Sequence, residues 1–252
     1  MSLKKRIIPI VLLDGFSVVK TIKFEERRNL GSPITVVRTY NTRNVDEMIV
    51  LDIDASSEGR SIDLFTISDL AKDCFMPLTV GGGIRSVEDI RAVLKAGADK
   101  VAINTAALTS PSIIDQAAKV FGSQCIVASV DIIAEAGEYE IYNAQLPNRS
   151  AKSVREWVCE LENRGAGEIL INMVDLDGTM SSPNIDLAAE LSRQLQVPTL
   201  YAGGISGPPD FVSLGKTDLS AVCASSIFHF TNVTPMECKL AMAGAGIEVR
   251  LS

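Results

Sequence analysis

Three features of this sequence predict an α/β fold in which eight parallel strands, each followed by a helix, close into a (β/α)8 barrel. Short runs rich in Val and Ile alternate with amphipathic stretches along the chain. The runs lack strict polar–apolar alternation, as parallel strands covered on both faces do. No Ser/Gly-rich or low-complexity break divides the 252 residues, and such a barrel takes about 250. Residues 1–252 therefore read as one domain.

The strands are expected, in order, at Arg6–Leu13, Met48–Ile53, Leu78–Gly82, Lys100–Asn104, Cys125–Ile132, Ile169–Asp175, Pro198–Ala202 and Ala221–Ser225. Each is a short apolar run bounded by polar or glycine residues. Amphipathic helices follow most of them, as at Val87–Ala96, Ser112–Phe121, Ala151–Arg164 and Ile185–Leu195. A last helix at Pro235–Ala243 closes the barrel, and Val249-Arg250-Leu251 packs back on it. Between the first two strands, Asp14–Pro33 reads as a long loop that opens with a turn pair, Asp14-Gly15.

The two halves resemble each other. Leu51-Asp52-Ile53-Asp54-Ala55-Ser56 matches Val174-Asp175-Leu176-Asp177-Gly178-Thr179, and Ile62-Asp63-Leu64 matches Ile185-Asp186-Leu187. Gly82-Gly83-Ile84 matches Gly203-Gly204-Ile205, and Asn104-Thr105 falls on Ser225-Ser226. Charged and glycine positions repeat as well as apolar ones. A period this long is not a solenoid unit; it predicts two similar half-barrels.

The net charge of −7, with no basic cluster, argues against nucleic-acid binding. No apolar run is long enough for a membrane helix, and no cleavage signal follows the basic N-terminus. Cys74, Cys125, Cys159, Cys223 and Cys238 form no Cys-x-x-Cys pair and read as reduced core residues of a cytoplasmic protein. A single histidine, His229, makes a zinc site or a Ser-His-Asp triad improbable. No metal and no cofactor is expected.

Barrel chemistry sits on the loops after the strands. Gly81-Gly82-Gly83 with Asn104-Thr105, and Gly203-Gly204 with Ser225-Ser226, stand at symmetric positions there. Glycine lets the backbone approach a ligand, and amide and hydroxyl groups donate to phosphate oxygens. One Gly-Gly turn is weak evidence, because tight βα turns also need glycine, but two such pairs at symmetric positions are a stronger signal and suggest two phosphates at opposite sides of the mouth. Asp131 ends the fifth strand, where a carboxylate reads as an acid/base group. Its symmetric partner is Leu12, which cannot move a proton. Asp14 is two residues further on and could substitute, although the turn explains it better. Asp52, Asp54, Asp175 and Asp177 suggest substrate hydroxyl contacts or loop fixing. Lys20 could reach a phosphate or be an exposed loop lysine. Arg6, Glu47, Lys100 and Glu168 sit just before strands at the opposite mouth and could form a ring of ion pairs, although ordinary stability at that face explains such charges too.

On specific blocks the chain resembles the cyclase subunit of imidazole glycerol phosphate synthase over almost its whole length. These blocks are Arg6-Ile7-Ile8, Leu51-Asp52-Ile53, Gly81-Gly82-Gly83-Ile84, Lys100 to Ala107, Phe121-Gly122-Ser123-Gln124, Arg164 to Leu170, Asp177-Gly178-Thr179 and Phe228-His229-Phe230. The resemblance implies a lyase/cyclase-type synthase subunit. A glutaminase subunit would dock on the N-terminal face, and ammonia would travel up the barrel to a bisphosphorylated substrate, which is cleaved and closed into an imidazole. It further implies that Gly83, Asn104 and Thr105 hold one phosphate and that Asp177, Gly178, Gly204, Ser225 and Ser226 hold the other. Lys20 and Asp52 would contact substrate, Asp131 would be one of two catalytic aspartates, and Arg6, Glu47, Lys100 and Glu168 would form a gate for ammonia.

The family's other catalytic aspartate falls on Leu12. Losing one proton-transfer group typically forfeits about 10²–10⁴-fold in rate. The segment from Ile8 to Thr21 is similar to a divergent subgroup associated with amidino-sugar formation for surface polysaccharides such as lipopolysaccharide. In that reading the barrel passes ammonia to another acceptor. A working cyclase of histidine biosynthesis and a non-catalytic activator of a glutaminase are the competing expectations.

Overall fold

The computed structural model of the chain describes residues 4–135, 137–146 and 152–251. Its strands, in chain order, are β1 (Arg6–Leu13), β2 (Val18–Ile22), β3 (Glu26–Gly31), β4 (Met48–Asp52), β5 (Leu78–Gly81), β6 (Lys100–Ile103), β7 (Ile126–Glu135), β8 (Glu138–Ile141), β9 (Glu168–Met173), β10 (Thr199–Ala202) and β11 (Ala221–Ala224). The helices are α1 (Pro33–Thr42), α2 (Leu64–Asp73), α3 (Val87–Lys95), α4 (Thr105–Thr109), α5 (Ser112–Phe121), α6 (Val154–Asn163), α7 (Ile185–Gln194), α8 (Pro208–Gly215), α9 (Ser226–Phe230) and α10 (Pro235–Gly244).

Eight strands, in the order β1-β4-β5-β6-β7-β9-β10-β11, pair in parallel, and β11 returns to pair with β1. The closed (β/α)8 barrel expected from the apolar runs is therefore present. Local sequence starts the helices. Ser86 with Asp89, Ser153 with Glu156 and Thr234 with Glu237 form reciprocal capping boxes ahead of α3, α6 and α10. The expected start of α6 at Ala151 lies outside the described residues.

Alternation along β1 creates two cores. Ile7, Val11 and Leu13 pack outward with Tyr40, Trp157 and Phe211, while Ile8, Ile10 and Leu12 join Ile49, Val127, Leu170, Leu200 and Cys223 inside the lumen. Each such buried side chain contributes about 1.5–3 kcal/mol. Behind the N-terminal end, Lys239 of α10 is 0% exposed and pairs with Asp46 at 2.8 Å. The other Asp46 oxygen accepts the Ile7 amide at 2.8 Å, which fixes the start of β1.

Three strands depart from expectation. The Asp14–Pro33 segment is not a long loop: β2 pairs antiparallel with β1, and β3 with β2. β7 runs on past Ile132 and folds back as β8. Asn104-Thr105 and Ser225-Ser226 lead into the one-turn helices α4 and α9, not open loops. The cysteines are all free, but only Cys223 and Cys238 are fully buried. No helix among the described residues is long and apolar enough to cross a membrane.

Candidate active site at the barrel mouth

A cavity of about 350 Å³ opens at the C-terminal end of the strands. Its wall brings together Leu12, Lys20, Asp52, Gly83, Asn104, Thr105, Asp131, Asp177, Gly178, Gly204, Ser225 and Ser226. Of the mouth positions singled out from the sequence, these line one pocket, whereas Asp14 and Asp175 are not among its lining residues.

On β7 the inward phase carries Val127, Ser129 and Asp131, so the carboxylate faces the cavity. Asn104 donates to one Asp131 oxygen at 2.7 Å and Asn172 to the other at 2.9 Å. Burial pushes the Asp131 carboxyl up to about 6. The two amides pull it back, and the nearby Asp177 pushes it further up. Diametrically across the ring order, β1 presents Leu12, which is 7% exposed and packed among the lumen side chains. Asp14 does not take its place: it is exposed, forms the turn with Ser17, and is not among the residues that line the cavity.

Lys20 is not a mobile surface lysine. It is 3% exposed on β2, and its ammonium grips Asp177 at 2.7 and 2.9 Å. Thr21 donates to the same carboxylate at 2.7 Å. Gly178 stands at φ +73°, and a Cβ there would lie 2.2 Å from the Thr21 carbonyl oxygen, so this contact requires glycine. Asp177 therefore ties the β2–β3 hairpin to the far half of the barrel. Phe24, at the tip of that hairpin, meets Tyr142, just beyond β8, edge-on at 6.2 Å over the mouth.

Asp52 is spent on its own loop. Arg60 donates to both of its oxygens, at 2.5 and 3.2 Å, and the Asp54 and Ala55 amides donate to one of them. Arg27 forks onto Asp54 at 2.5 and 2.6 Å. Among the described residues, Asp175, the counterpart of Asp52, has no such cation, and its Oδ1 is buried without a hydrogen-bond partner. The Thr105 hydroxyl accepts from Asn143 at 3.1 Å. The Gly204 amide donates to the Leu176 carbonyl at 3.0 Å, so this glycine offers close approach, not a free donor.

At the other end, Arg6, Glu47, Lys100 and Glu168 meet as a ring. Arg6 contacts Glu47 at 2.6 Å and Glu168 at 2.9 Å; Lys100 contacts the same pair at 2.9 and 3.1 Å. Arg6, Lys100 and Glu168 are the first residues of their strands, and only Glu47 precedes one. Burial alone would push the Glu47 carboxyl up, but Arg6 and Lys100 hold it below its ordinary range. His229 stands apart from the chemistry. It packs edge-on to Tyr40, and burial lowers its pKa to about 4.

Sequence reasoning missed Arg60, Asn143 and Asn172. Asn172 carried a usable signal, since it shares the phase of the lumen residue Leu170. Among the described residues, no cluster of His, Cys, Asp and Glu is placed to hold a metal ion.

The sequence pattern of the histidine biosynthesis protein family matches residues 6–234. A protein of Campylobacter jejuni subsp. jejuni, provisionally named imidazole glycerol phosphate synthase subunit hisF2, is 43% identical over 249 residues. The match covers 99% of this chain and 99% of that protein.

Proposed function

The chain belongs to the histidine biosynthesis protein family, in its imidazole glycerol phosphate synthase cyclase-subunit branch, and from that premise we propose that it conveys ammonia without closing an imidazole ring. A glutaminase docks at the N-terminal face, ammonia passes the Arg6–Glu47–Lys100–Glu168 ring, and it emerges in the mouth pocket. The observation that carries this reading is Leu12, set in the lumen wall across from Asp131. Acid/base chemistry that needs two opposed carboxylates has only one. The lumen between ring and pocket is lined by Ile8, Ile49, Leu170 and Leu200. An ammonium ion would lose its hydration there without compensation, so the passage suits the uncharged molecule. The acceptor is then a carbon centre outside the family's ring-closing reaction, as in making an amidino group on a sugar.

One observation favours a working cyclase instead: the pocket gathers every matched ligand residue apart from the missing aspartate. The two readings separate in one assay. The purified chain is given the bisphosphorylated cyclase substrate and an ammonium salt at high pH, which bypasses the glutaminase. The expected result is no imidazole product. Turnover at a rate typical of the family would make this chain a cyclase working with Asp131 alone.

A further inference from the structure

The charges in the wall of the mouth pocket do not balance. Asp52, Asp54, Asp131 and Asp177 stand there against Lys20 and Arg27. Three of the carboxylates are paired: Asp177 with Lys20 at 2.7 Å, Asp54 with Arg27 at 2.5 Å, and Asp52 with Arg60 at 2.5 Å. Asp131 is the exception. Among the described residues its carboxylate makes no ion pair and is held by two neutral amides, Asn104 at 2.7 Å and Asn172 at 2.9 Å. A carboxylate in a cavity wall without a counterion carries a desolvation cost that a bound cation would relieve. In the same wall the Ser226 hydroxyl, on a residue 6% exposed, has no partner among the described residues either. The polar wall is thus incomplete without a ligand.

Strand order sets the direction from which a cation can reach Asp131. β6 and β9 flank β7 on either side. Asn104 follows β6 and Asn172 lies on β9, so each amide comes in sideways along the barrel wall, one to each carboxylate oxygen. An ionised carboxylate accepts at about four lone-pair positions, which leaves each oxygen one position toward the cavity. Across the ring order the wall is apolar, with Leu12 set among Ile10, Leu51 and Ile53. A bare ammonium or metal ion would satisfy the carboxylate and leave that second wall uncovered. A planar amidinium matches the two oxygens with two parallel N–H groups, and its carbon substituent is free to cover the apolar side.

We infer that the mouth pocket takes a ligand bearing a planar amidinium-type cation, its N–H groups forked onto Asp131 and its apolar part against Leu12. This rests on reading the mouth as the end where ammonia meets its acceptor, and it names the class of molecule held there. Calorimetric titration of the purified chain tests it, with benzamidine and its neutral counterpart benzamide as probes. The titration is run at pH 8, where the Asp131 carboxyl, raised to about 6, is charged. Benzamidine is expected to bind about ten- to hundredfold more tightly than benzamide, the effect of hydrogen bonds to a charged group. Asp131→Asn brings the two within about twofold of each other. Asp14→Asn removes the same charge outside the cavity and keeps the preference. Thermal melts verify that both variants fold. Equal affinities in the native chain, or a preference that survives Asp131→Asn or is lost in Asp14→Asn, overturn the inference and leave the proposed ammonia route standing. Binding of neither probe overturns it too. If a pentose bisphosphate also fails to bind, the mouth is not a ligand pocket, and the reading beneath the inference falls with it.

Discussion

At the N-terminal end of the lumen, two cations and two carboxylates share contacts of 2.6–3.1 Å, whereas at the C-terminal end Asp131 has only amide donors and faces Leu12. The lower four charges satisfy one another, so that end needs no ligand to be complete. Among the described residues, the upper end retains a carboxylate without a cation, Asp131, and a hydroxyl without a hydrogen-bond partner, Ser226. In a single barrel, self-satisfied charge makes a partition, and unsatisfied polar groups make a binding site.

The contrast can be broken from behind. Lys239→Met leaves Asp46 buried without its cation, which should cost about 3–5 kcal/mol in urea unfolding. It also loosens the start of β1 next to Arg6, through the Ile7 amide. The contrast is sharpened at the mouth by Asp131→Asn, which should raise stability by about 1–3 kcal/mol at pH 8. The sign follows from the raised carboxyl, about 6 in the folded chain against an ordinary 3.8. Between these values the folded state holds a proton that the unfolded state has lost, so native stability falls as pH rises through that window. The advantage of the variant should shrink as pH drops from 6 and vanish below about 4. If urea midpoints show no such pH dependence, Asp131 is not the isolated charge described.

Within the ring, Lys100→Met leaves Glu47 and Glu168 to Arg6 alone, at a cost of about 2 kcal/mol. Here the sign is reversed. The Glu47 carboxyl is held below its ordinary 4.5, so the stability it contributes is present above that value and disappears as pH falls. The gap between variant and native chain should therefore close in acid. The smallest effect is expected for Asp14→Ala. Its exposed side chain makes one long turn contact of 3.3 Å, and a change under about 0.5 kcal/mol would match a turn residue.

The barrel strands were legible because burial on both faces forces continuous apolar runs. The β2–β3 hairpin was not. β3 reads Glu-Arg-Arg-Asn-Leu-Gly, is almost wholly exposed, and has no apolar face to reveal it. Its position depends on Lys20 reaching Asp177, a contact 157 residues apart that no local pattern encodes. At the site, internal symmetry exposed both Leu12 and the paired Asn104-Thr105 and Ser225-Ser226 positions. It could not tell that Asn104 donates to Asp131 and Thr105 accepts from Asn143, whereas among the described residues the Ser226 hydroxyl has no partner. That distinction depends on Asn143, which belongs to a hairpin exit with no counterpart in the repeat.

The pairing of β1 with β11 sets a timetable for the chain. Arg6 cannot find Ala221 until nearly the whole barrel has been made, roughly 10–40 s later at ordinary synthesis rates. Until then β1 has an unpaired edge, and the inward faces of the finished strands lack their opposite wall. Contacts this distant in sequence also slow refolding. The ring and the mouth both straddle the seam, so they come into existence together as the last strand arrives. Intermediates lacking β11 should expose sticky strand edges and bind no anion, which makes the seam the point where folding and ligand binding become one event.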